Sequence, residues 1–267
     1  MDIILDNFDL FQIDKSGQCF RWKLVEKTDL YVTYLIPAFG RLLEVSQSSN
    51  KIHFDCSFND WDLYWKSYFD IDRDYSLIGH KIKSGNDEHL KKAYDFGSGI
   101  RILKQDLWEI IFSFMVSQNN NIPRIRKSIE LISKKYGKRL SDSLYAFPTC
   151  FEIPLFAFDD TSFGFGYRAE YLRELCDFVS KNPCFLDSLR DLSYEEAMEH
   201  LIKRKGIGLK VANCICLFGL GLVNSFPIDT HVKKLLEKNY PKGIDLSSYE
   251  GEKGIIQQYL FYYDLYN

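Results

Sequence analysis

The sequence predicts an α+β protein: a small antiparallel β-sheet domain over residues 1–97, then a mainly α-helical domain over residues 98–267 with a helix–hairpin–helix at about residues 196–220. Three observations lead there. Within the first hundred residues, short β-branched runs alternate apolar with polar side chains and are separated by turn residues. From about Asp95 the apolar residues recur at helical spacing instead. Residues 201–231, LIKRKGIGLKVANCICLFGLGLVNSFPIDTH, set a glycine hairpin between two helical patterns, the second stopped by Gly219, Leu220 and Gly221.

Each element has its own signal. Residues 17–22 (GQCFRW) lead into β-branched stretches around residues 31–36. A hairpin follows: residues 41–47, a turn at Ser48, Ser49 and Asn50, then residues 51–56. Residues 61–69 read as a helix laid on this sheet. Residues 105–117 are apolar nearly throughout, which marks a buried helix. That helix breaks at Gln118-Asn119-Asn120-Asn121, and a cationic amphipathic helix runs over residues 123–136. Residues 150–168, rich in Phe, Pro, Gly and Asp, read as a loop. Further helices are expected over residues 169–182, 194–203, 209–218, 231–239 and 252–266, the last of which could pack back onto the sheet domain.

Composition bounds the function. With 267 residues, 46% apolar and 27% charged, the chain is an ordinary globular protein with a sizeable core. The net charge of −3 gives no global nucleic-acid signal, but the charge is uneven. Residues 1–100 hold 12 basic and 16 acidic side chains, whereas residues 124–139 hold seven basic side chains against the single Glu130. Lys203, Arg204, Lys205 and Lys210 cluster with no acid nearby. Such patches suit either a solvated helix face or local phosphate binding. The carboxylates and amides among residues 1–10 argue against a signal peptide, and the longest apolar run, residues 214–223, is too short to span a bilayer. Seven cysteines, an odd number, favour reduced thiols and a cytoplasmic location. No zinc-like pair of Cys-x-x-Cys motifs exists, and with no cysteine beyond Cys216 there is no C-terminal four-cysteine iron–sulfur loop. No metal site is expected, and nothing demands more than a monomer.

The hairpin carries the chemistry. In Lys205-Gly206-Ile207-Gly208, glycines permit positive φ and close approach of backbone N–H groups to an anion, and a helix N-terminus follows directly. Lys210 stands in the first turn of that helix, where the dipole disfavours a cation. A surface lysine is ordinarily just a solvated charge. Partial burial at a helix N-terminus would instead favour a neutral amine able to attack carbon. Asp229 opens the next helical pattern and is suited to cap it. A capped carboxylate is also rigid, which a site needs from an electrostatic partner.

Gly-Ile-Gly-Leu-Lys-Val-Ala-Asn-Cys-Ile-Cys-Leu together with Pro-Ile-Asp-Thr-His resembles the helix–hairpin–helix DNA glycosylases, and among them the 8-oxoguanine branch. Collinear stretches agree: residues 16–22 (SGQCFRW), 99–106 (GIRILKQD), 117–125 (SQNNNIPRI), 164–169 (GFGYRA) and 257–265 (QQYLFYYDL). The resemblance implies a bifunctional DNA glycosylase and AP lyase that flips 8-oxoguanine out of double-stranded DNA, opposite cytosine, excises it through a lysine Schiff base and cuts the strand by β-elimination, with no cofactor. It implies Lys210 as nucleophile and Asp229 as its carboxylate. Gly17, whose carbonyl would accept the lesion's N7 hydrogen, Cys214, Gln257 and Phe261 would bind the base. Asn119 would fill the gap in the duplex, Arg124 and Arg168 would read the orphaned cytosine, and Tyr167 would wedge beside them. Lys205, Gly206, Gly208 and His231 would hold phosphates. Left to their own signals, Cys214 and Phe261 read as core packing and Arg124 as part of a basic face. Asn213 and Phe218 depart from the family pattern, which questions support for Lys210 from position 213 and the packing of the base pocket. The short sheet domain resembles the compact bacterial form. The alternatives are an alkylated-base glycosylase of the same superfamily, which Lys210 argues against, and a non-catalytic helix–hairpin–helix DNA-binding module.

Overall fold

Five strands pair antiparallel in the order β1–β5–β4–β3–β2: β1 (Asp2–Ile4), β2 (Lys23–Lys27), β3 (Val32–Ala38), β4 (Arg41–Ser48) and β5 (Lys51–Asp55). The register sets Ile36 opposite Leu43 and Tyr34 opposite Val45, which in turn faces Phe54. Alternate residues therefore build one apolar face, on which the helical segment over residues 58–68 packs Trp61, Trp65 and Tyr68. The β3–β4 turn is the two-residue Phe39-Gly40, both with positive φ, the geometry that matches strand twist. This computed structural model describes residues 1–267.

Ten helices of six residues or more follow, with a single turn at Phe185–Ser188 besides: α1 (Leu10–Lys15), α2 (Tyr75–Ser84), α3 (Glu88–Gly97), α4 (Leu107–Ser117), α5 (Ile122–Tyr136), α6 (Arg168–Lys181), α7 (Tyr194–Ile202), α8 (Leu209–Phe218), α9 (Thr230–Asn239) and α10 (Lys253–Tyr266). The expected buried helix is α4, with nine of its eleven residues inside and Asp106 Oδ1 accepting from Glu109 N at 2.9 Å as its N-cap. Asn121 caps α5 in the same way, with Pro123 in the first turn. Residues 150–168 are irregular apart from two short 3₁₀ turns, as expected. Strands β1 and β2 and helices α1 to α3 carry weaker signals than the rest.

Two apolar cores result, and they meet earlier than the boundary expected at residue 97. Side chains of residues 8–69, with Leu103, form the sheet core. Tyr75, Ile78, Ile82, Leu90 and Ala93 belong to the helical core, since α3 packs against α10 and α2 against α3, rather than on the sheet. The two-part architecture holds, with α2 and α3 moved across it. The amphipathic pattern of α3 told that it buried one face, but not against which partner.

Buried polar side chains fasten the two parts together. Gln18, fully buried, donates through Nε2 to Ser16 Oγ (2.8 Å) and to Arg101 O (2.9 Å). Its Oε1 accepts from Leu103 N (2.7 Å), and its backbone carbonyl accepts from Gln105 Nε2 (2.8 Å). Arg101 spans Asn7 O (3.1 Å) and Asp70 O (2.6 Å) and lies over the Tyr75 ring. Arg21 contacts Glu109 (3.3 Å) on α4, Glu130 (3.4 Å) on α5 and the Tyr145 carbonyl. Burial pushes the Glu109 carboxyl up to about 7, against the downward pull of Arg21.

A carboxyl raised in the folded state binds its proton more tightly there than in the unfolded chain. Its contribution is whole below the unfolded pKa, near 4.5, and is lost as pH climbs toward about 7. Glu109→Gln removes that titration, so melting temperatures measured across pH 4.5–7.5 should show a flatter decline in the variant than in the wild type. Parallel curves would refute the assignment.

Candidate active site

Helix α8 begins at Gly208, and no side chain caps its amide end. The hairpin before it needs glycine at 206: φ is +82°, and a Cβ there would lie 2.7 Å from the Tyr171 ring. Lys210, in the first turn and partly buried, holds Nζ 5.2 Å from the centroid of the Phe114 ring. One turn further, burial pushes the Cys214 thiol up to about 11, while Lys210 draws it down and Asp229 nudges it up. Cys214 therefore stays a neutral thiol with both groups at close range. Asp229 caps α9, its Oδ1 accepting from Val232 N at 2.8 Å, as its position in the sequence suggested.

A small cavity of about 60 Å³ brings Lys210 and Asp229 together with Gly17, Cys214, Gln257 and Phe261. Six residues from four separated stretches thus share one site. Gly17 has φ +78°, and a Cβ on it would stand 3.1 Å from Phe261 Cε1. The Phe261 ring leans directly on that glycine. Phe218, one of the departures from the family pattern, stacks on Phe114 at 5.6 Å and forms a wall of the cavity. Gln257 is buried and its Oε1 accepts from Gln258 Nε2 at 3.0 Å. Ser16, Phe114, Pro227 and Gln258 also line the cavity and were not singled out from the sequence. Only Gln258 had a readable signal, since it falls on the same face of α10 as Gln257 and Phe261.

The residues assigned to the duplex gap form a second group. Asn119, exposed, has φ +46°, a left-handed conformation that asparagine tolerates. Arg168, 7% exposed, donates from Nε to Gln118 O at 2.7 Å, from Nη2 to Gln118 O and to Asn119 O (2.9 Å), and from Nη1 to Phe165 O (3.2 Å). It braces the Asn119 loop. Tyr167, 55% exposed, has the Arg168 guanidinium over its ring, 4.5 Å from centroid to Cζ. Arg124 is exposed and lines a depression of about 280 Å³ with Asn119 and Arg168.

The residues expected to hold phosphate divide. Gly206 has the positive φ expected of the hairpin, whereas Gly208 is extended, with φ −89° and open space where a Cβ would stand. Lys205 is held by Glu170 and Glu174, both at 2.6 Å, whose hydrogen bonds raise its pKa above the ordinary lysine value. Lys203 pairs with Glu199 at 2.7 Å. The basic cluster therefore does have acids nearby: Glu199, four residues back and already visible in the sequence, and two brought in by α6, which the linear sequence hid. His231 packs edge-on against Phe261, with ring centroids 5.3 Å apart, and its Nε2 lies 3.0 Å from Asp264 Oδ2. All seven cysteines are free thiols, no group of side chains is disposed to hold a metal ion, and no helix is long and apolar enough to cross a membrane.

A sheet domain fastened to a helical body, with a glycine hairpin that delivers a lysine into one cavity with a carboxylate, defines a helix–hairpin–helix DNA glycosylase. Residues 2–111 match the family model of the 8-oxoguanine DNA glycosylase N-terminal domain. The structure superposes on MBOgg1 in complex with a low-affinity DNA ligand with a TM-score of 0.91 and 32% identity, covering 99% of this chain and 95% of that one. Against the Clostridium acetobutylicum 8-oxoguanine glycosylase/lyase, in complex with double-stranded DNA containing cytosine opposite 8-oxoguanine, the TM-score is 0.87 with 35% identity, over 100% and 98% of the two chains. The chain is 29% identical over 259 residues to the N-glycosylase/DNA lyase of Saccharomyces cerevisiae, spanning 86% of this chain and 68% of the relative. The chain belongs to the 8-oxoguanine DNA glycosylase family. The 3-methyladenine DNA glycosylase of Archaeoglobus fulgidus, at 20% identity and TM-score 0.73, shares the fold.

Asn213 has a definite place in this site. Its Nδ2 donates to Leu209 O at 2.9 Å, next to Lys210. Its Oδ1 accepts from Tyr194 OH at 2.9 Å and from Phe226 N at 3.3 Å, three residues before Asp229. It supports the site as a bracket between the two segments that carry lysine and aspartate. Asn213→Ala removes the partner of the Phe226 amide and of the Tyr194 hydroxyl and should cost about 1–3 kcal/mol in urea denaturation. Asn213→Asp keeps the acceptor, loses the donor, and should lower kcat with little change in KM. An unchanged stability in the alanine variant would remove the bracket.

Proposed function

We propose that this protein excises 8-oxoguanine from duplex DNA, opposite cytosine, and then cuts the strand at the abasic site. The observation that carries the reading is the convergence of Gly17, Lys210, Cys214, Asp229, Gln257 and Phe261 on one cavity from distant parts of the chain. A base inside a duplex is out of reach, so it must be flipped out, and Asn119 on its braced loop stands ready to fill the gap. Phe261 and Cys214 then flank the base and Gln257 meets its pairing edge. The Gly17 carbonyl accepts the N7 hydrogen that 8-oxoguanine has and guanine lacks. Ligand pockets usually measure roughly 300–1,000 Å³. A cavity of about 60 Å³ admits a purine only when Phe261 turns off Gly17.

Chemistry follows from the pair. Lys210 Nζ bonds to the sugar C1′ as the glycosidic bond breaks, and the electron pair leaves with the base. Asp229 stabilises the cationic character that develops on the sugar. Loss of a proton from the nitrogen and opening of the ring give a Schiff base. Removal of a C2′ proton then expels the 3′ phosphate, so the strand is cut 3′ to the lesion. Nucleophile and carboxylate are both side chains of this chain, so the reading requires no cofactor. Its place is with the DNA, in the cytoplasm of a cell without a nucleus, where its seven thiols stay reduced.

Borohydride should trap a covalent protein–DNA adduct with the wild type on a duplex carrying 8-oxoguanine, and none with Lys210→Gln. An adduct from that variant would overturn the assignment. Arg124 and Arg168 should separate when excision is timed opposite each of the four bases. Arg124→Ala should relax the cytosine preference at an unchanged melting temperature. Arg168→Ala should relax it and also lower the melting temperature, because the loop loses its brace. Preferences unmoved in both variants would refute their role.

A further inference from the structure

Helix α10 presents Gly254, Gln257, Gln258 and Phe261 at the i, i+3, i+4 and i+7 positions of one face. Gly254 lets the helix close on Leu217 and the Ser225 carbonyl, and the other three line the cavity that holds Lys210. Gln258 is 3% exposed. One end of its amide is used, with Nε2 donating to Gln257 Oε1 at 3.0 Å. The other end, Oε1, is buried without a hydrogen-bond partner. A buried acceptor left unpaired destabilises a protein, and such a group calls for an explanation. Here the explanation lies in the cavity beside it.

We propose that Gln258 is a second base-reading residue, whose Oε1 accepts an N–H from the pairing edge of the flipped base. This rests on the cavity being the base pocket, as argued above. Gln257 Oε1 already accepts from Gln258, so the two amides form a rigid couple in which Gln258 supplies the open acceptor. A guanine-type edge carries donors at N1 and at the exocyclic N2. An adenine-type edge carries a bare N1 lone pair and a C2 hydrogen. An acceptor at this position therefore favours the former and opposes the latter, whichever of the two N–H groups it meets. The Gly17 carbonyl tests for oxidation at the far side of the purine and cannot make this distinction, because 8-oxoadenine also carries a hydrogen on N7. The two devices read opposite edges of one base.

Single-turnover excision of 8-oxoguanine and 8-oxoadenine, each opposite cytosine, tests the proposal in the wild type, Gln258→Met and Gln258→Asn, with melting temperatures measured alongside. Methionine keeps the bulk and removes the polar atoms, and asparagine withdraws the acceptor by one methylene. The 8-oxoguanine to 8-oxoadenine rate ratio should fall about tenfold or more in Gln258→Met and in the same direction in Gln258→Asn. The free methionine variant exchanges one unpaired buried acceptor, Gln258 Oε1, for another, Gln257 Oε1, and should melt close to the wild type. A ratio unchanged in either folded variant overturns the role of Gln258. A wild type that excises neither base and gives no borohydride adduct overturns the proposed function itself, a separate outcome.

Discussion

The structure depends on one buried amide. Gln18 uses both amide donors, its side-chain oxygen and its backbone carbonyl to join the turn at Gly17 to residues 101–105, which feed directly into α4. Apolar contact is non-directional and by itself does not fix the sheet domain against the helices with hydrogen-bond precision. The lesion-reading role proposed for the Gly17 carbonyl needs that precision. Fixed hydrogen bonds of 2.7–2.9 Å in a dry interface set the position of Gly17 relative to the helical body. Arg21 and Arg101 repeat the theme on either side, each a buried guanidinium ending on backbone or carboxylate of another segment. The sheet domain serves as a mount for one glycine.

Charge is handled as economically as position. The hairpin lysine Lys205 is already balanced by Glu170 and Glu174, and Lys203 by Glu199, so the hairpin offers DNA backbone amides more than free cations. This agrees with the net charge of −3 and with a protein that must leave undamaged DNA readily. Within the pocket, Cys214 is kept neutral by burial, so its sulfur contributes a polarisable surface rather than a competing nucleophile.

Much of this was legible in the sequence because its signals are local. Helices α4, α5, α8 and α9 are announced by caps and glycines next to their ends, and the Lys210–Asp229 pairing follows from register within one short stretch. The β3–β4–β5 meander likewise shows itself through alternation and turn residues. What stayed hidden depends on partners far along the chain. Gln18, Gln47 and Gln258 look like ordinary polar residues, and only the fold reveals that each is buried with a particular task. Gln47, for instance, accepts from Leu10 N at 2.8 Å and donates to Phe8 O at 2.7 Å, which anchors the start of α1. Helices α2 and α3 show one apolar face each, but no pattern within them says that α10 covers α3 or that α2 packs on α3. The acids that quench Lys205 lie over thirty residues away, beyond the reach of charge counting in a window.

Arg168 carries a consequence for discrimination. Its guanidinium is engaged by the carbonyls of Gln118, Asn119 and Phe165, which hold the left-handed turn at Asn119. In the reading role proposed for it, whatever Arg168 gives to a base in the opposite strand it must withdraw from its own loop. Contact with that strand is thus an exchange of acceptors rather than a gain of one, and the free energy released is a small difference between two similar bonds. A partner base with the wrong pattern leaves the balance on the side of the loop, and the arginine returns to its own backbone. Selectivity of this kind arises from competition inside the protein, and weakening the internal acceptors would make the enzyme less discriminating even as its grip improved.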